Sequence, residues 1–171
     1  MKMRTLSTEK KLCTCCMEEH EVKIVGVMEH TVFKNVHVQY EAVYSYCDRA
    51  EELYMEDDQM SANDSLMKDA YRKGQGLLTS KEIIAIRGKY GISQSDLCIL
   101  LGWGQKTITR YESHQVQDKA HDTILKKIDQ DPEWFLKLLE SAKCSLSADS
   151  YLKYYNTAVE LFEINHDVYL R

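Results

Sequence analysis

Proline and glycine, the two residues that interrupt regular structure, are scarce: the chain has one proline and seven glycines among 171 residues. Collagen-like and low-complexity chains need many of both, so these classes are excluded. Apolar residues make up 44% of the chain and charged residues 29%, which are ordinary proportions for a folded protein. The length allows one or two domains.

Long apolar runs are missing too, because no run approaches the ~18 residues that a membrane-spanning helix needs. Residues 1–11 carry four Lys or Arg, but no apolar stretch follows them, which is unlike a secretory signal. We therefore expect a cytoplasmic protein with no membrane partner. In that compartment its six cysteines would be thiols or metal ligands and not disulfides.

Enzyme motifs are a third absence. The sequence has no phosphate-binding glycine loop, no nucleophile elbow and no HExxH pair, and its six histidines are scattered. We therefore expect that the protein is not an enzyme.

The first positive signal is a two-residue periodicity between residues 13 and 47. Val, Tyr or Ala occupies every second position from Val36 to Tyr46, and polar residues stand between most of them. This alternation is typical of a half-buried β-strand. We predict a small β domain over residues 1–54, followed by an acidic linker and an amphipathic helix over residues 55–76. The regularly spaced residues of that helix are Met60, Asn63, Met67, Ala70 and Tyr71.

Cysteines flank this β pattern and suggest a metal centre. Cys13 and Cys16 form one C-x-x-C pair, and Cys47 opens a second such spacing in which Ala50 stands in place of the last cysteine. A structural zinc ion needs four ligands, and Cys13, Cys16 and Cys47 supply three. The candidates for the fourth are Cys15, Asp48, His20 and His37. The alternative is that the metal is absent and that the β domain depends on its Val and Tyr residues.

Residues 77–143 show helical patterns separated by short turns, and residues 144–171 form a C-terminal extension with one more helix. The predicted N-cap residues are Ser80, Ser93, Asp118 and, in the extension, Ser147. Gly91 suits the left-handed position after the first of these helices, and Pro132 suits the first turn of the fifth. The predicted inner face of the last helix consists of Tyr151, Tyr155, Ala158, Val159 and Phe162.

Charge is uneven along the chain, whose net charge is −5. Residues 80–128 carry eight Lys or Arg against five Asp or Glu, whereas the segments on both sides are acidic. On a helical wheel, residues 105–113 present one face of amide, hydroxyl and cationic groups without a carboxylate. This face consists of Gln105, Lys106, Thr109, Arg110 and Ser113. Such groups match base edges and phosphates, so the face favours binding to double-stranded DNA.

A helix that begins near residue 94 supports this interpretation, because a free helix N-terminus binds phosphate. We therefore expect Gln94 and Ser95 to contact the DNA backbone. The predicted DNA-binding residues are Gln94, Ser95, Gln105, Lys106, Thr107, Thr109 and Arg110. Arg87 and Glu112 are expected to form an ion pair, and Trp103 to be a packing residue of the turn.

The motifs SQSDL at 93–97, LLGWG at 100–104 and TITRYE at 107–112 resemble an Xre/Cro-type helix-turn-helix. With residues 63–72, 76–78 and parts of 83–91, they make the chain similar to the MqsA (YgiT)-type antitoxin family over about residues 13–140. That family couples an N-terminal zinc-binding unit with two C-x-x-C pairs to a C-terminal Xre-type domain. The resemblance places the family's base-reading Arg at Arg110, and Lys106 stands where the best-studied branch has Asn.

Together the patterns and the resemblance predict an α+β fold. It has a small N-terminal β unit that is zinc-ribbon-like with an incomplete ligand set, an all-α Xre-type helix-turn-helix domain over residues 77–143, and an extra C-terminal helix. The resemblance implies a homodimeric repressor that reads a palindromic operator. It also implies the antitoxin of a type II toxin–antitoxin system, which neutralises its cognate toxin and represses its own operon. Two alternatives stay open: a phage or mobile-element regulator without a toxin, and an interaction module whose helix-turn-helix does not bind DNA.

Overall fold

The computed structural model describes residues 3–169, with side chains up to residue 164. Over these residues the protein is α+β, as predicted: four antiparallel strands are followed by seven α-helices. The chain forms two compact units, with the boundary between Gln75 and Gly76. Among the described residues, no helix combines the length and the apolarity of a membrane span.

The strands are β1 Met3–Leu12, β2 Glu19–Phe33, β3 Val36–Cys47 and β4 Glu52–Tyr54. The helices are α1 Asp57–Gly74, α2 Ser80–Tyr90, α3 Gln94–Leu101, α4 Thr107–Ser113, α5 Lys119–Gln130, α6 Pro132–Ser141 and α7 Ala148–Tyr169, with a 3₁₀ turn at Lys143–Ser145.

The first unit is built on a meander in which sequence neighbours are also sheet neighbours, in the order β1-β2-β3-β4. Lys34 and Asn35 join β2 to β3 with positive φ angles of 49° and 63°, as a two-residue type I′ turn requires. In an antiparallel meander, the β1–β2 and β3–β4 connections lie at the same end of the sheet. The two cysteine-bearing turns are therefore neighbours.

Sequence periodicity does not predict β1. Its residues are exposed at nearly every position, so neither face shows the apolar alternation that marks a half-buried strand. Its pairing with β2 defines the strand instead, from Met3 opposite Val27 to Leu12 opposite Glu19.

Helix α1 packs on β3 through polar side chains. Buried Asn63 exchanges two hydrogen bonds of 2.8 Å with the backbone of Val43, and buried Gln59 donates to the Ser45 hydroxyl at 3.1 Å. Because β4 pairs only with the last three residues of β3, the Asn63 amide takes the place of a missing strand beyond them. Of the regularly spaced residues of α1, Asn63 is buried, whereas Met60 is 54% exposed.

The second unit encloses an apolar core to which α2 to α7 all contribute. Its most buried members are Ile83, Tyr90, Leu97, Ile108, Leu125, Phe135, Leu139 and Ala158. The predicted N-caps of α3, α5 and α7 are confirmed. Helix α2 is capped by Thr79 and not by Ser80, because Thr79 and Glu82 form a reciprocal capping box.

Two further details differ from the prediction. Helix α4 begins at Thr107, so Gln105 and Lys106 lie in the turn that precedes it. Among the aromatic side chains described in α7, Tyr154 and not Tyr155 is the buried one, and its hydroxyl bonds to Asp96.

Candidate metal centre and nucleic-acid interface

The β1–β2 and β3–β4 turns have the same local geometry. The fourth residue after Cys13 is Met17, with φ of 60°, and the fourth residue after Cys47 is Glu51, with φ of 56°. In each turn the backbone N–H groups of the second and third residues after the cysteine point at its sulfur. The N–H of Ala50 lies 3.4 Å from Cys47 Sγ. The second turn thus keeps the shape of the first, although an alanine replaces its second cysteine.

Four side chains converge between these turns. The ligand atoms of Cys13, Cys16, His20 and Cys47 all lie within 4.8 Å of one another. Cys13 and Cys47 are fully buried, and Cys16 and His20 are half-buried. Three thiols and one imidazole are a common donor set of tetrahedral structural zinc sites. The group can hold a metal ion and is compatible with a structural zinc.

His20 is the fourth donor that the C-x-x-C spacing did not identify. Its Nδ1 lies 2.8 Å from the carbonyl oxygen of Glu21, so Nδ1 carries the proton. In the neutral tautomer with this proton, Nε2 has a lone pair for a metal, and it lies 3.7 Å from Cys47 Sγ. A backbone carbonyl that fixes the tautomer in this way is the usual partner of a metal-binding histidine. The sequence signal was the C-x-x-C-x-x-x-H spacing from Cys13 to His20.

The other three candidates for the fourth ligand are not part of this group of converging donors. Cys15 packs beside the cluster, and burial and the neighbouring Cys47 raise its pKa to about 11, but its Sγ contacts the Glu52 carboxylate at 3.7 Å and is not one of the four converging donors. Asp48 forms an ion pair of 2.8 Å with Lys23. His37 is exposed on β3 next to the hairpin. The geometry therefore selects His20.

The cluster favours thiolates at two of its positions. Burial raises the pKa of Cys13, but hydrogen bonding from Tyr54 and from backbone N–H groups outweighs burial and brings this pKa to about 6. Burial likewise raises the pKa of Cys47, and the N–H groups of Ala50 and Arg49 reverse the effect, so the pKa falls. Burial and the neighbouring Cys13 raise the pKa of Cys16 to about 11. A bound cation would favour loss of that proton too.

Tyr54 closes the cluster from β4. It packs against the buried group of Cys13, Val22 and Cys47. Its hydroxyl is buried, and no group among the described residues meets the full distance and angle requirements for a hydrogen bond to it. The hydroxyl is nevertheless close enough to Cys13 to lower the pKa of that thiol. A polar hydroxyl in such a place is typical of the groups that surround metal-bound thiolates.

The second unit has an open polar groove of about 470 Å³ between α3 and α4. It is lined by Arg87, Ser93, Gln94, Ser95, Gln105, Lys106 and Thr109. Five of the seven predicted DNA-binding residues are among them. No carboxylate is present among the described residues that line the groove.

The remaining two predicted residues belong to α4, next to the groove. Thr107 is the first residue of α4 and is half-buried. Arg110 is exposed, and its Nε lies 3.3 Å from the carbonyl oxygen of Lys106. Gln105, Lys106 and Arg110 are thus all accessible to a ligand.

An ion pair fixes the floor of the groove. Arg87 donates to the two carboxylate oxygens of Glu112 at 2.7 and 3.1 Å, which confirms the predicted pair, and this hydrogen bonding raises the pKa of Arg87. Gln94 also donates to Glu112 at 2.5 Å and accepts from the Thr109 hydroxyl at 2.8 Å. Helices α2, α3 and α4 are therefore tied together, and the Gln94 side chain is used within the protein.

Trp103, in the turn between α3 and α4, is a packing residue as expected. Its ring stacks on His121 with a centroid distance of 4.0 Å and lies edge-on to Tyr111 at 6.3 Å. This contact connects the turn to α5 and supports α4 from behind.

No protein-family model matches this chain. Neither a curated protein nor a solved structure matches it at a significant level. The functional assignment therefore depends on the residues and geometry of the two sites.

Proposed function

We propose that the second unit binds double-stranded DNA and that the protein is a sequence-specific transcriptional repressor. The observation that carries this proposal is the groove between α3 and α4. It is polar, open and accompanied by the exposed cations Lys106 and Arg110, while the Glu112 carboxylate, which bonds to two lining residues, is paired with Arg87. A surface that binds DNA has few unpaired carboxylates, because each one would repel the phosphates.

In this proposal α4 enters the major groove. Lys106 and Arg110 donate to guanine O6 and N7, and Gln105 exchanges hydrogen bonds with a neighbouring base. Ser95 and the free backbone N–H groups at the start of α3 contact the phosphate backbone. Gln94 has a different role, because its side-chain amide bonds to Thr109 and Glu112. Only its backbone N–H is then offered to a phosphate.

One helix of seven residues contacts few base pairs, so we propose a homodimer. Two copies related by a two-fold axis would read a palindromic operator with half-sites about 34 Å apart. The dimer is inferred from the geometry of DNA, and the resemblance to the MqsA-type family implies a dimer as well.

For the first unit we propose a structural zinc ion bound by Cys13, Cys16, His20 and Cys47. The metal would join the β1–β2 turn to the β3–β4 turn, where the buried cluster contains one aliphatic residue, Val22. A core this small gives little stability by itself. With the resemblance, a stable sheet of this kind supports the role of an antitoxin whose N-terminal unit binds a cognate toxin while the second unit represses the operon.

Gel-shift titration with the promoter of the protein's own operon tests DNA binding. Replacing Lys106 and Arg110 together with Ala should lower the affinity at least ~30-fold, because two base contacts of roughly 1–3 kcal/mol each are lost. Lys137→Ala, which removes an exposed cation on α6, is the matched control and should bind as the wild type does. Equal affinity of the double variant would refute the assignment of α4, and wild-type protein that binds no duplex would favour an interaction module.

Co-expression with the product of the adjacent gene tests the antitoxin role. The expected result is rescue of growth and co-purification of the two proteins. A repressor that binds its promoter but neither binds nor neutralises that product would be a regulator of the phage or mobile-element kind.

A further inference from the structure

Helix α7 lies in the C-terminal extension, which the resemblance does not cover, and yet it reaches the start of α3. The hydroxyl of Tyr154 donates to Asp96 Oδ2 at 2.6 Å and accepts from the backbone N–H of Ser93 at 3.4 Å. Tyr154 itself is 4% exposed. A buried side chain of α7 therefore bonds to two residues of the α3 cap and first turn.

Asp96 is the residue on which this contact acts. It is the acidic residue in the first turn of α3, directly after Ser95. Ser93, Gln94 and Ser95 line the groove between α3 and α4, but Asp96 does not. The carboxylate that is nearest in sequence to the proposed phosphate contacts is thus bonded to α7, on the side away from the groove lining.

The neighbouring residue of α7, Lys153, contacts the loop that precedes α3. The side chain of Lys153 lies over Gly91, where a Cβ atom would be 3.4 Å from Lys153 Cε and 3.7 Å from Nζ. Gly91 has φ of 61° and ends α2, so the loop that leads into α3 passes beneath α7. Helix α7 therefore contacts this part of the unit at Gly91, Ser93 and Asp96.

We propose that Tyr154 is a positioning residue for DNA binding, because it holds the Asp96 carboxylate away from the phosphate path. This inference rests on the proposed function of the second unit. Without the hydroxyl, the carboxylate can turn toward the first turn of α3 and meet the phosphate backbone. Tyr154 is suited to the task, since burial and the bond to Asp96 raise its pKa and it remains a donor at neutral pH.

The test is a double-mutant cycle in which DNA affinity is measured at low and at moderate salt. Tyr154→Phe keeps the buried ring and removes the hydroxyl, and it should weaken binding about three- to tenfold at low salt and less at moderate salt, because like-charge repulsion is screened. In the Asp96→Asn background the same change should have no effect. Tyr155→Phe, on the same helix without a bond to α3, is the control and should bind as the wild type does.

The outcomes separate the two proposals. The positioning role is refuted if Tyr154→Phe binds DNA as tightly as the wild type does. It is also refuted if the loss of DNA affinity is independent of salt and persists in the Asp96→Asn background, because Tyr154 then has a structural role alone. If the wild-type protein binds neither its promoter nor a duplex selected from a random library, the DNA-binding proposal fails first. Thermal unfolding of all variants establishes that each is folded at the assay temperature.

Discussion

Nε2 of His20 lies 3.7 Å from Sγ of Cys47, so the start of β2 reaches the turn that follows β3. Ala50 occupies the position that a second C-x-x-C pair would give to a thiol, and its N–H still points at Cys47. The β3–β4 turn therefore keeps the geometry of a metal-binding turn while a histidine from another element completes the donor set.

The first prediction exchanges the fourth ligand. His20→Ala should lower the zinc content from about one ion per chain to well below one, because three ligands leave the tetrahedron open. Adding Ala50→Cys to His20→Ala should restore the zinc content, since the turn from Cys47 to Glu51 already has the backbone conformation of the Cys13–Met17 turn. Metal analysis of protein purified without chelator measures both. His37→Ala, an exposed histidine on β3, should retain the metal, and wild-type protein that is folded but zinc-free would contradict the site.

Metal removal should affect the two units differently. A strong chelator should raise amide hydrogen exchange in residues 3–54 by about two orders of magnitude or more, because structural zinc contributes directly to folding stability. Amides in α2 to α6 should keep their protection, since that unit has its own apolar core. Hydrogen exchange followed by mass spectrometry distinguishes these regions. Unchanged protection of β2 and β3 after verified loss of the metal would show that the sheet does not depend on it.

Loss of the Arg87–Glu112 pair should destabilise the second unit. Arg87→Ala leaves the Glu112 carboxylate, whose side chain is 6% exposed, without its cation, and the expected cost is about 1–3 kcal/mol in the free energy of unfolding. Urea denaturation measures this value. Glu133→Ala breaks the exposed pair with Lys137 and should cost less than about 1 kcal/mol. Similar values for the two variants would mean that the partly buried pair contributes no more than a surface pair.

Asp122 should make stability depend on pH in the acid range. Burial raises its pKa, but hydrogen bonds from Lys126, from the Leu78 N–H and from Gln117 outweigh burial, so the pKa lies below the ordinary value of 3.8. A carboxyl with a lowered pKa stabilises the folded state above its unfolded pKa. This contribution is lost as the pH falls through the folded pKa.

Asp122→Asn should therefore be less stable than the wild type at pH 7, by about 1 kcal/mol or more, and the difference should shrink below pH 4. Unfolding free energies at pH 7 and pH 3 measure the change, and Asp149→Asn, an exposed residue in the first turn of α7, provides the comparison. A difference that is equal at both pH values would mean that the effect is not electrostatic.

Local chemistry made much of the second unit predictable. A serine hydroxyl at the start of α3, an aspartate at the start of α5 and a glycine after α2 act on backbone groups within a few residues, so their roles are visible in the sequence. The Arg87–Glu112 pair, predicted as an ion pair between two helices, is also confirmed. By contrast, β1 has no apolar alternation, and only its pairing with β2 identifies it.

The residues that the sequence could not assign act across long separations. His20 meets Cys47 over 27 positions, Gln94 meets Glu112 over 18 and Tyr154 meets Asp96 over 58. The sequence by itself determined the fold class and most helix caps, and it identified the exposed cations Lys106 and Arg110, because these depend on periodicity and on neighbouring backbone groups. Tertiary structure alone decided the fourth metal donor, the use of the Gln94 amide and the reach of α7, because each depends on how separate elements pack.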